Sequence, residues 1–164
     1  MTADGNLTSE NGREAALALV QEESTLTLAT ADESGPWSAP VYYVYRNDSF
    51  YFFSSPQSRH IQQAVKSGKA AASLFQSANS WQAIRGIQMP GTVERVQSMA
   101  LSIKVIAKYL NRFAFVSELF PDNPAPDQAA FFSRFRARLY VFAPTAVYYI
   151  DNRFGFGARQ RIDW

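Results

Sequence analysis

The residues of this sequence best suited to chemistry are three serines, an arginine and a histidine that follow an aromatic run. They stand in the stretch FFSSPQSRHIQQAVKSG, residues 52–68, and are Ser54, Ser55, Ser58, Arg59 and His60. A helix N-terminus presents unpaired N–H groups and about half a positive charge, so it favours acidic side chains over basic ones. Serine hydroxyls and an arginine fork at such a position suit a bound phosphate dianion. The stretch therefore predicts a phosphate site, although taken alone it also fits a capped surface helix with two solvated basic residues.

The composition excludes several classes of function. The 164 residues are 47% apolar and 18% charged, as in one globular domain with a real core, and the net charge of +2 argues against nucleic-acid binding. The chain has no cysteine and one histidine, which excludes disulfides, thiolate or histidine-rich metal centres and a cysteine nucleophile, and makes a Ser-His-Asp triad improbable. There is no signal-peptide pattern and no apolar run of about 18 residues, so we expect a cytoplasmic protein that does not span a membrane.

The hydrophobic pattern predicts an α+β fold, mainly β, built on a small antiparallel barrel. Residues 1–8 are expected to be a flexible tail and residues 9–164 a single domain. Within residues 97–111, we expect Met99, Ile103 and Ile106 to face inward. A bend is expected near Pro90 and Gly91, because proline cannot donate to a strand ladder. The predicted helices are 9–22, 58–66, 97–111 and 127–135, and the predicted strands are 25–30, 37–45, 50–54, 70–75, 84–96 and 139–150.

Two strands could contribute to a binding site. Along SAPVYYVYR, residues 38–46, Tyr42 and Tyr43 point to opposite faces, so at most one lines a given pocket, while the backbone can offer N–H and C=O groups to a heterocycle. Their side chains also fit one core and one interface position. In residues 81–96, Gly86 permits close approach of a ligand, and Arg85 and Gln88 could bond a polar ring edge. A bulged barrel strand with exposed polar side chains fits those residues equally well.

The C-terminal tail and the histidine allow fewer conclusions. The tail DNRFGFGARQRIDW has glycines between aromatics and is typical of a shaped loop that packs against a neighbouring chain, with Arg159 or Trp164 near a shared site. It lacks the strand–helix setting of a phosphate loop. His60 considered alone is more typical of a hydrogen-bonded side chain than of a haem or metal ligand.

In this order, the segments TLATADESGPWSAPVYYVYRNDSFYFFSSPQSRHIQQAVKSGKAAASLF and IRGIQMPGTVERV resemble the pyridoxamine 5′-phosphate oxidase-like, FMN-binding split-barrel family. The similarity covers residues 22–96, and the tail resembles an uncharacterised bacterial subgroup of that family. The resemblance implies a six-stranded antiparallel split β-barrel with flanking helices, forming a homodimer with two FMN sites at the interface. It also implies cofactor contacts, which fall here on Pro40, Val41, Tyr42, Tyr43, Phe53, Ser54, Ser55, Ser58, Arg59, His60, Arg85, Gly86, Gln88 and, from the partner chain, Trp164.

The resemblance further implies a function, with two departures. The family's lysine in the phosphate site is His60 here, which at pH 7 offers one donor and no charge. The Arg-x-His pattern that recognises the vitamin B6 substrate is replaced by Arg159, Gln160 and Arg161, so that activity is not expected. The remaining hypothesis is an FMN-dependent oxidoreductase acting on a small molecule, with NAD(P)H as a possible donor and the catalytic residues unknown. The alternatives are a non-enzymatic flavin- or haem-binding storage or sensor protein, an F420-dependent reductase, and a ligand-free interaction domain.

Overall fold

The fold is a mostly antiparallel β-barrel with helices on its outside. The computed structural model describes residues 6–164, so most of the predicted tail 1–8 lies outside the described residues. The helices are α1 (Ser9–Glu22), α2 (Arg59–Ser67), α3 (Met99–Arg112), α4 (Ala114–Leu119) and α5 (Gln128–Phe135), with 3-10 turns at Trp81–Ala83 and Asn152–Phe154. The strands are β1 (Thr25–Asp32), β2 (Gly35–Tyr42), β3 (Val44–Arg46), β4 (Ser49–Ser54), β5 (Ala70–Phe75), β6 (Arg85–Arg95), β7 (Arg138–Pro144), β8 (Val147–Asp151) and β9 (Arg159–Ile162).

The barrel closes because one predicted strand bends and pairs on both sides. The strands follow the order β2-β1-β5-β6-β7-β4-β3, and β2 and β3 are separated only by Tyr43. β2 pairs with β1 up to Tyr42, whereas β3 pairs with β4 from Val44 onward. Counting β2 and β3 as one bent strand gives six strands around the barrel, with β8 and β9 extending beyond it. The predicted split barrel is therefore confirmed.

The bend predicted near Pro90 and Gly91 divides β6 into two halves. The first half, from Arg85 to Gln88, pairs with β8, and the second half, from Gly91 to Arg95, pairs with β7. A Cβ atom on Gly91 would lie 2.4 Å from the carbonyl oxygen of Ala143 and 2.7 Å from the Phe142 ring. Only glycine fits here, because the neighbouring backbone approaches too closely for a side chain.

Three predictions about the second half of the chain were wrong. The predicted strand 139–150 is two strands, β7 and β8, since the chain leaves the ladder at Thr145 and Ala146. The tail, predicted as a loop, ends in strand β9, which pairs with β8. On α3, Ile106 is buried as expected, but Met99 and Ile103 are 67% and 61% exposed. The buried face of α3 is instead formed by Ser102, Val105, Ile106 and Tyr109.

The dense aromatic residues fill two neighbouring cores. The barrel interior contains fully buried rings, among them Tyr43, Phe50 and Phe142. A second cluster lies between the outer face of the barrel and the helices α3–α5, where the buried Tyr109 hydroxyl donates to the backbone oxygens of Tyr42 and Tyr51. These helices are therefore fixed against β2 and β4. Within residues 6–164, no helix is long and apolar enough to cross a membrane.

Candidate functional site

The predicted phosphate residues form one hydrogen-bonded cluster where β4 ends and α2 begins. Ser54 is the last residue of β4, and Ser58 precedes the first turn of α2 without capping it through its side chain. The Ser54 Oγ lies 2.7 Å from His60 Nε2 and 3.1 Å from Ser58 Oγ. The Ser58 hydroxyl donates to the backbone oxygen of Ser55 at 2.7 Å. Four of the five predicted residues thus meet at one point.

Each serine hydroxyl has one proton to donate, and this decides which atom is the donor in each of these bonds. The Ser58 hydroxyl proton is used on the Ser55 carbonyl, which can only accept, so Ser58 Oγ accepts from Ser54. The Ser54 hydroxyl proton is then also used, and its oxygen accepts from His60 Nε2. All three contacts are satisfied together only when Nε2 of the imidazole carries a proton. The cluster therefore contains three donors whose protons can turn towards an anion.

The cluster carries no strong positive charge of its own. Burial lowers the pKa of the His60 imidazole below its ordinary value, which favours the neutral form. The first turn of α2 contains no acidic residue, and the backbone N–H groups of Arg59 and His60 make no hydrogen bond within the described chain. An anion at this point would meet neutral donors and the positive end of a helix dipole.

Arg59 begins α2, and its side chain packs against the turn between β1 and β2. Its Nη2 donates to the backbone oxygen of Ser34 at 3.0 Å and more weakly to that of Gly35, while its guanidinium carbon lies 4.7 Å from the centre of the Trp37 ring. The Nε atom is buried and has no hydrogen-bond partner within residues 6–164. Arg59 therefore retains an unused, buried donor beside the start of α2, as expected of a side chain that binds an anionic oxygen.

A buried glutamine that the sequence analysis did not identify ties α2 to the same turn. Gln63 is 1% exposed and accepts a hydrogen bond from Thr30 at 2.8 Å. Its amide nitrogen donates to Asp32 Oδ1 and to the Gly35 backbone oxygen, both at 3.0 Å. A polar residue on the inward face of a short helix was the available sequence signal. Gln63 therefore fixes α2, which carries Arg59, against the start of β2, which carries Trp37.

Beside the cluster, an apolar cavity of about 330 Å³ lies between the barrel and the helices. Ser54 and His60 form its polar end. Its walls come from both the barrel and the helical segment, and no aspartate, glutamate, lysine or arginine contributes to them. The remaining lining residues are Pro40, Val41, Tyr42, Phe53, Tyr109, Phe115, Val116, Leu119, Phe131, Phe135 and Ala137.

The structure brings four of the predicted ring-contact residues to this cavity. Pro40, Val41 and Tyr42 line it from β2, and Phe53 lines it from β4. Phe53 stacks on Phe131 with ring centres 4.0 Å apart. The helical contributions from α3–α5 were missed by sequence reasoning, although the aromatic residues in that segment were a visible signal. They could not be assigned because no local pattern tells which strand a helix will cover.

The other predicted contact residues lie elsewhere within one chain. The Tyr43 ring is buried in the barrel core, where its hydroxyl donates to the Val20 backbone oxygen. Arg85 donates to Gln76, Gln88 accepts from Arg159, and a Cβ on Gly86 would meet the Leu74 carbonyl. The Trp164 ring stacks on Phe50, and its Nε1 donates to the Asp48 backbone oxygen at the β3–β4 turn. None of these five residues lines the cavity.

The donor set fits the phosphate of FMN. Hydroxyl, imidazole and backbone N–H donors converge where β4 meets α2, and the buried Nε of Arg59 is unpartnered in the described chain. The adjoining cavity offers flat aromatic and aliphatic walls of the kind that accept a ring system. Binding through Ser54 and Ser58 requires their hydroxyls to rotate away from each other.

Comparisons with known proteins identify the family and relatives of the same fold. The family model described as pyridoxamine 5′-phosphate oxidase matches residues 13–150. A UPF0306 protein of Klebsiella pneumoniae is 23% identical over 147 residues, covering 88% of this chain and 87% of that protein. The pyridoxine/pyridoxamine 5′-phosphate oxidase of Bordetella avium is 36% identical over 88 residues, covering 52% of this chain and 40% of that enzyme. The solved structure of HutZ, the heme storage protein from Vibrio cholerae, matches with a TM-score of 0.64 at 19% identity, covering 86% and 94% of the two chains.

Proposed function

Because the chain belongs to the pyridoxamine 5′-phosphate oxidase family, we propose that it binds FMN and acts as a flavin-dependent oxidoreductase on a small molecule. One observation carries this proposal: the hydrogen-bonded Ser54, Ser58 and His60 cluster opens directly into an apolar cavity bordered by β2. A phosphate site beside an apolar cavity with flat aromatic walls suits a phosphorylated ring cofactor better than a free anion or an apolar ligand.

In this proposal, the residues of the cluster hold the phosphate. The Ser54 and Ser58 hydroxyls, His60 Nε2 and the N–H groups at the start of α2 donate to its oxygens. Arg59, the first residue of α2, adds a charged donor. FMN, when bound, supplies the hydride or electron transfer itself. The β2 backbone and the rings of Tyr42 and Phe53 orient the ring system and exclude water. The reductant of the flavin would be NAD(P)H or the substrate itself.

A haem-binding storage protein is the second candidate. It is supported by the similarity to HutZ and by the position of His60, the single histidine, at the polar end of an apolar cavity. Ligation of haem iron by His60 would require the imidazole to give up its 2.7 Å contact with Ser54. F420 remains a third cofactor hypothesis, because it too joins a flat ring to a phosphate-bearing tail.

The test is the absorbance spectrum of the freshly purified protein, followed by identification of the released chromophore. We expect flavin bands and about one FMN per chain. A Soret band would replace the flavin proposal with the haem one, and a colourless protein that binds neither FMN nor F420 would remove the cofactor altogether.

Paired variants locate the site. Replacing Ser54 and Ser58 together by alanine should weaken FMN binding by at least about tenfold, since hydrogen bonds to a charged group contribute roughly 1.5–3 kcal/mol each. The control is Ser67→Ala, because Ser67 is exposed at the far end of α2 and lies outside the cavity. If the double variant and the control bind FMN with equal affinity, this cluster does not bind FMN.

A further inference from the structure

Three arginines surround a second cavity behind the serine loop. Arg95 ends β6, Arg136 follows α5 and Arg138 begins β7, and together with Phe132 and the loop residues 55–57 they line a cavity of about 350 Å³. None of Ser54, Ser58 and His60 lines it, so this cavity is distinct from the cofactor site. The 55–57 loop forms a wall of the cavity, and on this loop the Ser55 backbone oxygen accepts the Ser58 hydroxyl of the cofactor site.

Two of the guanidinium groups are held by the same aromatic ring. The guanidinium carbon of Arg138 lies 3.5 Å from the centre of the Phe132 ring, and that of Arg136 lies 5.7 Å from it. Contact with a ring orients an arginine while leaving its N–H groups available for hydrogen bonds. The Phe132 ring therefore orients Arg138, which is half-buried, while the Arg95 and Arg136 side chains stay exposed to solvent.

No acidic side chain balances these charges within residues 6–164. The ion pairs of the described chain lie elsewhere and join Lys66 to Glu33 and Arg153 to Asp151. Like charges held around one cavity repel each other, and an anion bound among them removes that repulsion. Arginine clusters of this kind bind phosphate oxygens in bidentate pairs.

We propose that this cavity binds the phosphate or pyrophosphate group of a second, phosphorylated small molecule. Arg95, Arg136 and Arg138 donate to its oxygens from three sides. The assignment of that molecule as the reductant rests on the proposed function, because a nicotinamide dinucleotide donor carries a pyrophosphate group. The anion site itself does not depend on FMN.

The test is calorimetric titration of the full-length protein with inorganic pyrophosphate at constant ionic strength, with and without added FMN. We expect one saturable site per chain in both conditions. Arg138→Gln and Arg95→Gln should each weaken binding at least tenfold while FMN affinity and the circular dichroism spectrum stay unchanged. The control is Arg134→Gln, which removes a charge from the same region outside the cavity and should bind pyrophosphate like the wild type.

Each other outcome has a defined meaning. If pyrophosphate binds weakly and Arg134→Gln lowers this binding as much as Arg138→Gln does, the binding is general electrostatic attraction. That result would overturn the proposal. Pyrophosphate binding that disappears when FMN saturates the protein would do the same, because pyrophosphate would then occupy only the serine cluster. Displacement of pyrophosphate by NADPH would identify the reductant as the source of the group. Displacement by inorganic phosphate alone would instead assign the site to a smaller phosphorylated ligand.

Discussion

His60 sets the charge of the phosphate cluster, and its burial makes that charge depend on pH. Burial lowers the pKa of the imidazole in the ligand-free protein below 6.5, and a bound phosphate dianion raises it again. Between these two pKa values, FMN binding takes up a proton. FMN affinity should therefore increase as the pH falls, and this added affinity should be lost as the pH rises through the pKa of the bound state. The measurement is the FMN dissociation constant by fluorescence quenching from pH 5.5 to 8.

Two variants isolate the contribution of His60, since the phosphate of FMN also titrates, with a pKa near about 6. His60→Gln keeps a neutral donor and should show the shallower pH dependence of the ligand alone. His60→Lys should bind FMN more tightly at pH 8 than the wild type does. An unchanged pH profile in His60→Gln would contradict the role assigned to the imidazole.

Arg59 links the phosphate cluster to the β1–β2 turn, and its loss should weaken FMN binding. We expect Arg59→Ala to lower the binding free energy by about 2–4 kcal/mol, because removing one partner of a desolvated charge pair leaves the other charge unpaired. The matched control is Lys66→Ala on the same helix, whose exposed contact with Glu33 spans 3.9 Å and should contribute little. Equal affinities in the two variants would remove Arg59 from the site.

At the scale of the elements, Gln63 determines how α2 sits on the barrel. Gln63→Ala leaves the buried Thr30 hydroxyl without its partner and removes one of the two donors to the Gly35 carbonyl. We expect the free energy of unfolding in urea to fall by about 2–4 kcal/mol, from a lost hydrogen-bond network and a small cavity. The exposed neighbour Gln62 is the control, and Gln62→Ala should change stability by less than about 0.5 kcal/mol.

The bend in β6 makes a second prediction at this scale. Gly91→Ala would place a methyl group 2.4 Å from the Ala143 carbonyl oxygen, so β6 and β7 must move apart at this point. We expect a loss of about 1–3 kcal/mol in urea denaturation, as is typical of overpacked sites. Glu94→Ala, at an exposed position of the same strand, should be close to neutral, and an equal effect in both variants would argue against close approach as the cause.

Local pattern predicted some elements well and others poorly, for identifiable reasons. Strand Ala70–Phe75 follows from its short apolar run between turn signals, and the handover from β4 to α2 follows from its serines and proline. The break between β7 and β8 was missed because residues 139–150 are apolar almost throughout. The inward face of α3 was predicted wrongly because it depends on Tyr109 and its contacts with β2 and β4, the strands that α3 covers. Tertiary partners, which no single segment encodes, decided both cases.

The same limit applied to the site. The phosphate residues lie within residues 54–60 of the sequence, so their types and order predicted a cluster, and the fold brings four of them together. The aromatic walls from α3–α5 come from a segment more than fifty residues away, and Gln63 acts through a turn that precedes it by about thirty residues. Only the folded chain reveals such contributions.

At the scale of the whole molecule, an exposed aromatic surface marks where a second copy should pack. Phe75, Trp81 and Phe156 are 64%, 49% and 85% exposed, and the rings of Trp81 and Phe156 lie 5.9 Å apart. Phe75 pairs with Gly86 across β5 and β6, so the surface adjoins the predicted ring contacts that do not reach the cavity of their own chain. A dimer through this surface would offer those residues to the partner's cofactor.

We therefore expect a homodimer at micromolar concentration by light scattering, and a coupled loss of FMN when the dimer is disrupted. The double variant Trp81→Asp with Phe156→Asp places charges in the aromatic surface and should be monomeric, with FMN affinity lowered at least about tenfold. Ile103→Asp is the control, because Ile103 is 61% exposed on α3, away from this surface. If the double variant is monomeric but binds FMN like the wild type, the site is complete within one chain and Arg85 and Gln88 have no role in it. A wild-type protein that is itself monomeric would contradict the shared site directly.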